Sequence, residues 1–156
     1  MPIILFFVIV VIQLTIIPFI SIGSIVPNLI IILLVFFTLK YGQVYGTILG
    51  SIFGLLFDII TGGFLGSTMF SLTLSGFIAG YFYSETRQEF YTSTYFFLLI
   101  VFITAFANSF LTLLLSSTEV KLSASSLILE QGVLPAIYTA IISLPILLYN
   151  QRRRRI

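Results

Sequence analysis

The stretch YGTILGSIFGLLFDIITGGFLGS, residues 45–67, combines a long apolar run with a regular spacing of small residues. Gly46, Gly50, Gly54 and Asp58 recur every four residues, so in a helix they lie along one stripe. Between helices in lipid the hydrophobic effect gives little drive to associate, and Gly-x-x-x-Gly spacing permits close backbone packing instead. The stretch therefore predicts a membrane helix with a packing stripe, followed by a glycine-containing turn.

A second pair of glycines repeats this spacing in the next apolar segment, at Gly76 and Gly80. Two interpretations are open: the two stripes pack on each other inside one subunit, or one stripe is a docking surface for another protein. The candidate helix-packing or partner-contact residues are Gly46, Gly50, Gly54, Asp58, Gly62, Gly66, Gly76 and Gly80.

The composition excludes a soluble domain. Of the 156 residues, 59% are hydrophobic and 8% are charged, whereas a soluble domain carries about 25% charged residues. Lipid must therefore solvate most of the surface. Cysteine and histidine are both absent, which removes thiol nucleophiles, most zinc sites and imidazole acid–base chemistry. We expect no enzymatic activity, no cofactor and no metal site.

Apolar segments that meet or approach the roughly 20 residues of a membrane-spanning helix occupy most of the chain. They predict an all-α polytopic membrane protein, with about six helices in one bundle and short loops, as a single domain over residues 1–156. The second segment is the shortest, and Gly23 and Pro27 break the helix before it. The predicted spans are 3–22, 25–39, 44–60, 67–83, 91–115 and 129–149.

The basic residues predict the orientation, because short cytoplasmic loops are enriched in Lys and Arg. With six spans, one side carries Lys40, Arg87 and Arg152 to Arg155, and the other carries only Lys121. Seven of the eight tyrosines also fall at the boundary on the more basic side, where amphipathic rings prefer to lie. We therefore expect both termini in the cytoplasm and read the N-terminal segment as a retained anchor.

Asp58 is the one acidic residue well inside a predicted span, since Glu130 stands at the very start of the last one, and a carboxylate within a span costs roughly 2.5–3.5 kcal/mol on insertion scales. Three interpretations are open. The side chain could clamp the neighbouring turn at Thr61–Gly63, pair with a partner's group, or couple a proton in a transporter. It lies near the outer end of its helix rather than at the midplane, which favours the clamp.

Other polar and basic residues allow two interpretations each. Gln13 and Asn108 are predicted to hold helices together or to bind a ligand. Arg152, Arg153, Arg154 and Arg155 are predicted to fix topology and bind lipid head groups, or to dock an acidic cytoplasmic partner. Nucleic acid is not an expected partner, because the arginines lack an accompanying reading element. Pro135 and Pro145 are expected to kink the last helix, and the loop 116–131 is a possible contact for an external partner.

The order of several motifs resembles the rod shape-determining protein MreD family. The resemblance rests on residues 13–15 (QLT), 27–30 (PNLI), the glycine-spaced helix that ends in GLLFD at Asp58, Gly66, and residues 76–81 (GFIAGY). It covers about half of the chain. Asn28 departs from the family pattern, which often has an acidic residue after the proline, and Ser51 and Ser67 stand where the family often has a bulky residue.

The resemblance implies a component of the bacterial cell-elongation machinery in the inner membrane. Such proteins act with an MreC-like scaffold, the MreB filament and the peptidoglycan polymerase and transpeptidase. A second candidate is the substrate-binding membrane subunit of an energy-coupling-factor vitamin transporter, also a small six-helix bundle. That function requires a pocket with several converging polar side chains, for which Asp58, Asn108 and Gln13 are the chief candidates.

Overall fold

The computed structural model describes residues 2–22, 25–62, 64–86, 95–115 and 129–154, with side chains up to Tyr149. Within these ranges the regular structure is helical apart from one isolated bridge between Ile22 and Ile25, which confirms the all-α prediction. The helices are α1 (Pro2–Thr15), α2 (Ile17–Ile20), α3 (Leu29–Tyr41), α4 (Gln43–Thr61), α5 (Ser67–Gly80), α6 (Phe96–Leu115), α7 (Leu134–Ile142, after a π-helical turn at Leu129–Val133) and α8 (Leu144–Arg154).

Three helical segments are long and apolar enough to cross a membrane: Gln43–Thr61, Phe96–Leu115 and Leu129–Tyr149. The other apolar helices, α1, α3 and α5, have 13 or 14 residues. At 1.5 Å per residue they reach about 20 Å, less than the roughly 30 Å of a bilayer core. The architecture is therefore that of a membrane protein, and six complete crossings remain a prediction.

Helix α3 is the centre of the described bundle. Nine of its 13 residues are buried, and it contacts α1, α4, α5, α6 and α7. A helix that is apolar on all sides belongs in an interior, because it has no polar face to turn outward. The second predicted span, which is the shortest of the six, therefore corresponds to the helix that its neighbours surround. The outer surface instead carries exposed apolar side chains such as Phe19 and Phe64.

The helix ends differ from the predicted spans at several prolines. The first span, predicted over 3–22, is interrupted at Ile16, and α2 has Pro18 in its first turn, where a missing N–H does no harm. The second span begins at Leu29 rather than residue 25. Val26 precedes Pro27 and lies outside any helix, because the proline ring disfavours a helical residue before it. Gly23 lies outside the described residues.

Three later spans also differ from the prediction. The fourth ends at Gly80 rather than residue 83, and the fifth is described as a helix from Phe96, residues 91–94 being outside the described range. The last helical segment is interrupted at Ser143, two residues before Pro145, as expected for a residue that cannot donate a helical hydrogen bond. Its helix then runs on through Arg154, five residues beyond the predicted end at Tyr149.

Candidate functional site: the glycine hairpin and the polar pocket

Helices α4 and α5 form an antiparallel hairpin that packs through the glycines. A Cβ added to Gly50 would lie 2.8 Å from the Leu72 carbonyl carbon, and one added to Gly76 would lie 2.8 Å from the Gly46 carbonyl carbon. At Gly54 the added atom would lie 2.6 Å from the Met69 amide nitrogen. Because these neighbours are backbone atoms, a side chain at any of the three positions requires the helices to move apart.

The remaining stripe positions divide between packing and turn formation. An added Cβ on Gly80 would meet Gln43 of α4, and one on Gly46 would meet Thr38 of α3 at 2.7 Å. Gly62 and Gly66 have nothing within 4 Å of an added Cβ but have φ angles of 65° and 101°, a region that favours glycine. The described contacts of Gly46, Gly50, Gly54, Gly76 and Gly80 are therefore made within the chain.

The Asp58 carboxylate closes the hairpin. Its Oδ2 accepts hydrogen bonds from the backbone N–H groups of Gly66 at 2.8 Å and Met69 at 3.2 Å, and its Oδ1 accepts one from Thr68 at 3.3 Å. The side chain is 2% exposed. Gly66 is the N-cap of α5, and Thr68 and Met69 belong to its first turn, where N–H groups lack helical partners and the helix dipole favours a negative charge.

The hydrogen-bond partners of Asp58 lie after the turn between α4 and α5, whereas the predicted clamp placed them at the beginning of that turn. The sequence suggests the amides of Thr61, the last residue of α4, and of Gly62 and Gly63 directly after it. The bonds are made instead to residues eight to eleven positions along the chain, because the turn folds α5 back beside the end of α4. Gly63 lies outside the described residues.

Gln13 joins α1 to the beginning of α3. Its Nε2 donates to the Pro27 carbonyl oxygen at 2.8 Å, and its Oε1 accepts from the Leu29 N–H at 2.9 Å. Both ends of the amide are thereby used in contacts within the chain. Next to it, the Asn28 side chain accepts from the N–H groups of Ile30 and Ile31 and caps α3.

A polar pocket of about 270 Å³ opens at the same end of the bundle as Asp58. It lies between the start of α3, the end of α4, the start of α5, the second half of α6, and α7 with its π-helical turn. Thr139 on α7 also accepts a hydrogen bond from the Asn28 N–H at 3.0 Å, which ties two walls together. The polar residues that line the pocket are Asn28, Thr68, Asn108, Ser109, Thr112, Gln131 and Thr139.

Asn108 is one of the lining residues and also has an unsatisfied buried atom. The residue is 7% exposed, and its Oδ1 has no hydrogen-bond partner among the described residues. Sequence analysis had singled out Asn108 as a polar residue in an apolar span. It did not anticipate Asn28, Thr68 or Thr139 as neighbours, because these residues come from helices far apart in the chain.

The arginine tail belongs partly to the described structure. The backbone of α8 continues the last helix through Arg152, Arg153 and Arg154, and Arg155 lies outside the described residues. Most of the external loop, residues 116–128, also lies outside them.

A comparison with protein families identifies the family of this chain. The sequence profile described as rod shape-determining protein MreD matches residues 1–153, nearly the whole chain. The chain belongs to the MreD family. The match extends well beyond residues 13–81, on which the resemblance rested. No curated protein and no solved structure gave a significant match. The glycine hairpin, the Asp58 clamp and the polar pocket are thus features of a rod-shape-determining membrane protein.

Proposed function

We propose that this MreD-family protein is a non-catalytic scaffold of the cell-elongation machinery in the bacterial inner membrane. It crosses the membrane six times, with both termini in the cytoplasm, and it links an MreC-like protein and the MreB filament to the peptidoglycan polymerase and transpeptidase. The observation that carries the proposal is the polar pocket at the Asp58 end of the bundle. In the proposed orientation, this pocket opens on the outer side, where wall synthesis takes place.

The rigidity of the pocket walls supports a docking role. Thr68 is held by Asp58, the start of α3 is held by Gln13, and Asn28 is held by Thr139. A surface whose backbone is already fixed loses little conformational entropy when a partner binds. The opposite end carries Lys40 near the Tyr41 ring, 5.4 Å from its centroid, together with the arginine tail, and would face cytoplasmic partners and lipid head groups.

The second candidate is a transport subunit that binds a vitamin. The pocket has several converging polar side chains, as that function requires. Its volume of about 270 Å³ lies below the roughly 300–1,000 Å³ of small-molecule sites. Asp58, the carboxylate considered for proton coupling, is engaged by three backbone N–H groups. Both observations favour the scaffold.

Site-specific crosslinking in living cells tests the proposal. The chain has no native cysteine, so a single thiol can be placed at Ser109 in the pocket, at Phe64 on the same end outside it, or at Val44 near the other end of α4. We expect Ser109 to capture the MreC-like protein, with little capture from Phe64. Capture of an ATPase and its coupling protein, without wall-synthesis proteins, would instead identify a transporter subunit.

A further inference from the structure

The polar pocket extends below the end of the bundle, to the depth at which α3 begins. Helix α3 ends at Lys40 and Tyr41, a cation and an amphipathic ring of the kind that lies at a membrane boundary. Its first residue, Leu29, is therefore about 20 Å from that boundary and about 10 Å inside the opposite one, for a bilayer core of roughly 30 Å. Asn28, which directly precedes Leu29, lines the pocket.

Helix α6 gives the same depth independently. It runs from Phe96 to Leu115 and is long enough to cross a membrane. Ser109 stands six residues before the end of this helix, and Ala105 stands ten residues before it. At 1.5 Å per residue they lie about 9 and 15 Å below the helix end. Both residues line the pocket, so the pocket reaches well into the hydrocarbon layer.

The backbone before α3 indicates what surrounds it at this depth. Val26, Pro27 and Asn28 are outside any helix, and Val26 and Asn28 line the pocket. Non-helical backbone at membrane depth is tolerated where protein covers it or where it lines a water-filled cavity. Val26 is 46% exposed, so protein does not cover this stretch completely. A water-filled cavity is the remaining environment that its backbone groups can accept.

The side chain of Ser109 points to the same environment. The neighbouring hydroxyls of α6 donate to carbonyl groups of their own helix, Thr104 to Ile100 at 2.7 Å and Thr112 to Asn108 at 2.8 Å. Among the described residues the Ser109 hydroxyl has no such partner, and it is not one of the buried atoms without a partner. It is therefore accessible to solvent. A free hydroxyl in hydrocarbon is unfavourable, whereas water provides its hydrogen bonds.

We propose that the polar pocket is a water-filled vestibule that enters the membrane from the Asp58 end of the bundle and stops at the beginning of α3. Its volume of about 270 Å³ accommodates several water molecules, each of which occupies about 30 Å³ in the liquid. Beyond the vestibule, the barrier to water is the apolar helix α3, whose Leu34 and Val35 are fully buried. The inference goes beyond the proposed function and does not depend on a partner protein.

Thiol reactivity tests the vestibule. The full chain has no native cysteine, so single cysteines can be placed in the protein, reconstituted without partners in nanodiscs, and their rates of reaction with N-ethylmaleimide measured. Thiols at the pocket positions Ser109 and Thr112 should react within about tenfold of a thiol in water, because the reactive thiolate requires hydration. Glu85→Cys gives the reference rate in water, since Glu85 is exposed in the loop after α5.

Two positions on α6 are the matched controls. Phe110 is next to Ser109 and so has nearly the same depth, but it is exposed outside the pocket, and Thr104 is fully buried and does not line the pocket. Phe110→Cys and Thr104→Cys should react at least about a hundredfold more slowly than Glu85→Cys, because neither thiol is hydrated. Each variant is first checked for the thermal midpoint of the wild type, and Ser109→Cys and Thr112→Cys provide two independent pocket positions.

Three results would overturn the inference. Rates at Ser109 and Thr112 as low as at Phe110 would show that water does not enter the pocket. A rate at Phe110 as high as at Ser109 would show that this depth is hydrated on all sides, without a confined vestibule. Rapid reaction at Thr104 would show that water passes beyond the beginning of α3. Because the assay contains no partner, failure to capture an MreC-like protein in cells would count against the scaffold function and leave the vestibule unaffected.

Discussion

The Asp58 Oδ2 accepts a 2.8 Å hydrogen bond from the Gly66 N–H, eight residues along the chain. This contact joins the last turn of α4 to the residue that precedes α5. It explains how a carboxylate can be tolerated inside an apolar bundle, because three N–H groups at a helix start replace the water it has lost. Thr68, one of these donors, also lines the polar pocket, so the clamp helps to define the shape of the proposed docking site.

Replacing Asp58 tests this clamp. Asp58→Asn keeps one acceptor oxygen and should lower the free energy of unfolding by about 1.5–3 kcal/mol, the contribution of a hydrogen bond to a charged group. Asp58→Leu removes every acceptor and should lower it further. Stability can be followed by circular dichroism in detergent, since the chain has no Trp for fluorescence. Cell shape supported by Asp58→Asn would exclude an obligatory proton-coupling role, whereas a fully stable Asp58→Leu variant would contradict the clamp.

Replacing Gly50 tests the hairpin. In Gly50→Ala the new methyl group meets the backbone of Leu72, which cannot move without shifting α5. We expect a loss of about 1–3 kcal/mol, the usual cost of overpacking, measured as a lower thermal midpoint. Ser51→Ala is the control, because Ser51 is next in the chain and, among the described residues, its hydroxyl bonds within its own helix to the Ile48 carbonyl. Equal midpoints for the two variants would contradict the close approach of α4 and α5.

Replacing Gln13 tests the joint between α1 and α3. Gln13→Leu loses both hydrogen bonds and leaves the Leu29 N–H without this acceptor, so stability should fall by about 1–3 kcal/mol. Gln13→Glu keeps an acceptor for Leu29 but not a donor for the Pro27 carbonyl, and it should be less damaging to the Leu29 contact. Hydrogen exchange at the Leu29 amide distinguishes them: the rate should rise strongly in Gln13→Leu and less in Gln13→Glu.

Reporter fusions test the predicted orientation. A green fluorescent protein at the C-terminus should fluoresce, and alkaline phosphatase at the same position should be inactive, because both termini are expected in the cytoplasm. Replacing Arg152 to Arg155 with Gln removes four of the six basic residues assigned to that side and should produce a fraction of inverted molecules. Active phosphatase on the wild-type chain would show that the C-terminus lies outside the cytoplasm and would contradict the predicted orientation.

The sequence by itself determined the class of the protein and the positions of its close helix contacts. Composition required lipid as the solvent, and the four-residue spacing from Gly46 to Asp58 indicated a stripe, because helical geometry relates sequence spacing directly to a shared face. Pro27 indicated a break between helices, although α3 begins four residues later than predicted, and the break near Pro18 was not predicted. These are local properties, and local sequence is sufficient to predict them.

Only the tertiary structure decided which groups meet across the bundle. Asn28, Thr68, Asn108 and Thr139 belong to four different helices, and their convergence on one pocket follows from how those helices pack. The same holds for the partners of Asp58, which lie beyond the turn rather than within it, and for the unsatisfied Asn108 oxygen. Burial and hydrogen-bond satisfaction depend on contacts between residues distant in sequence, and no spacing along the chain specifies them.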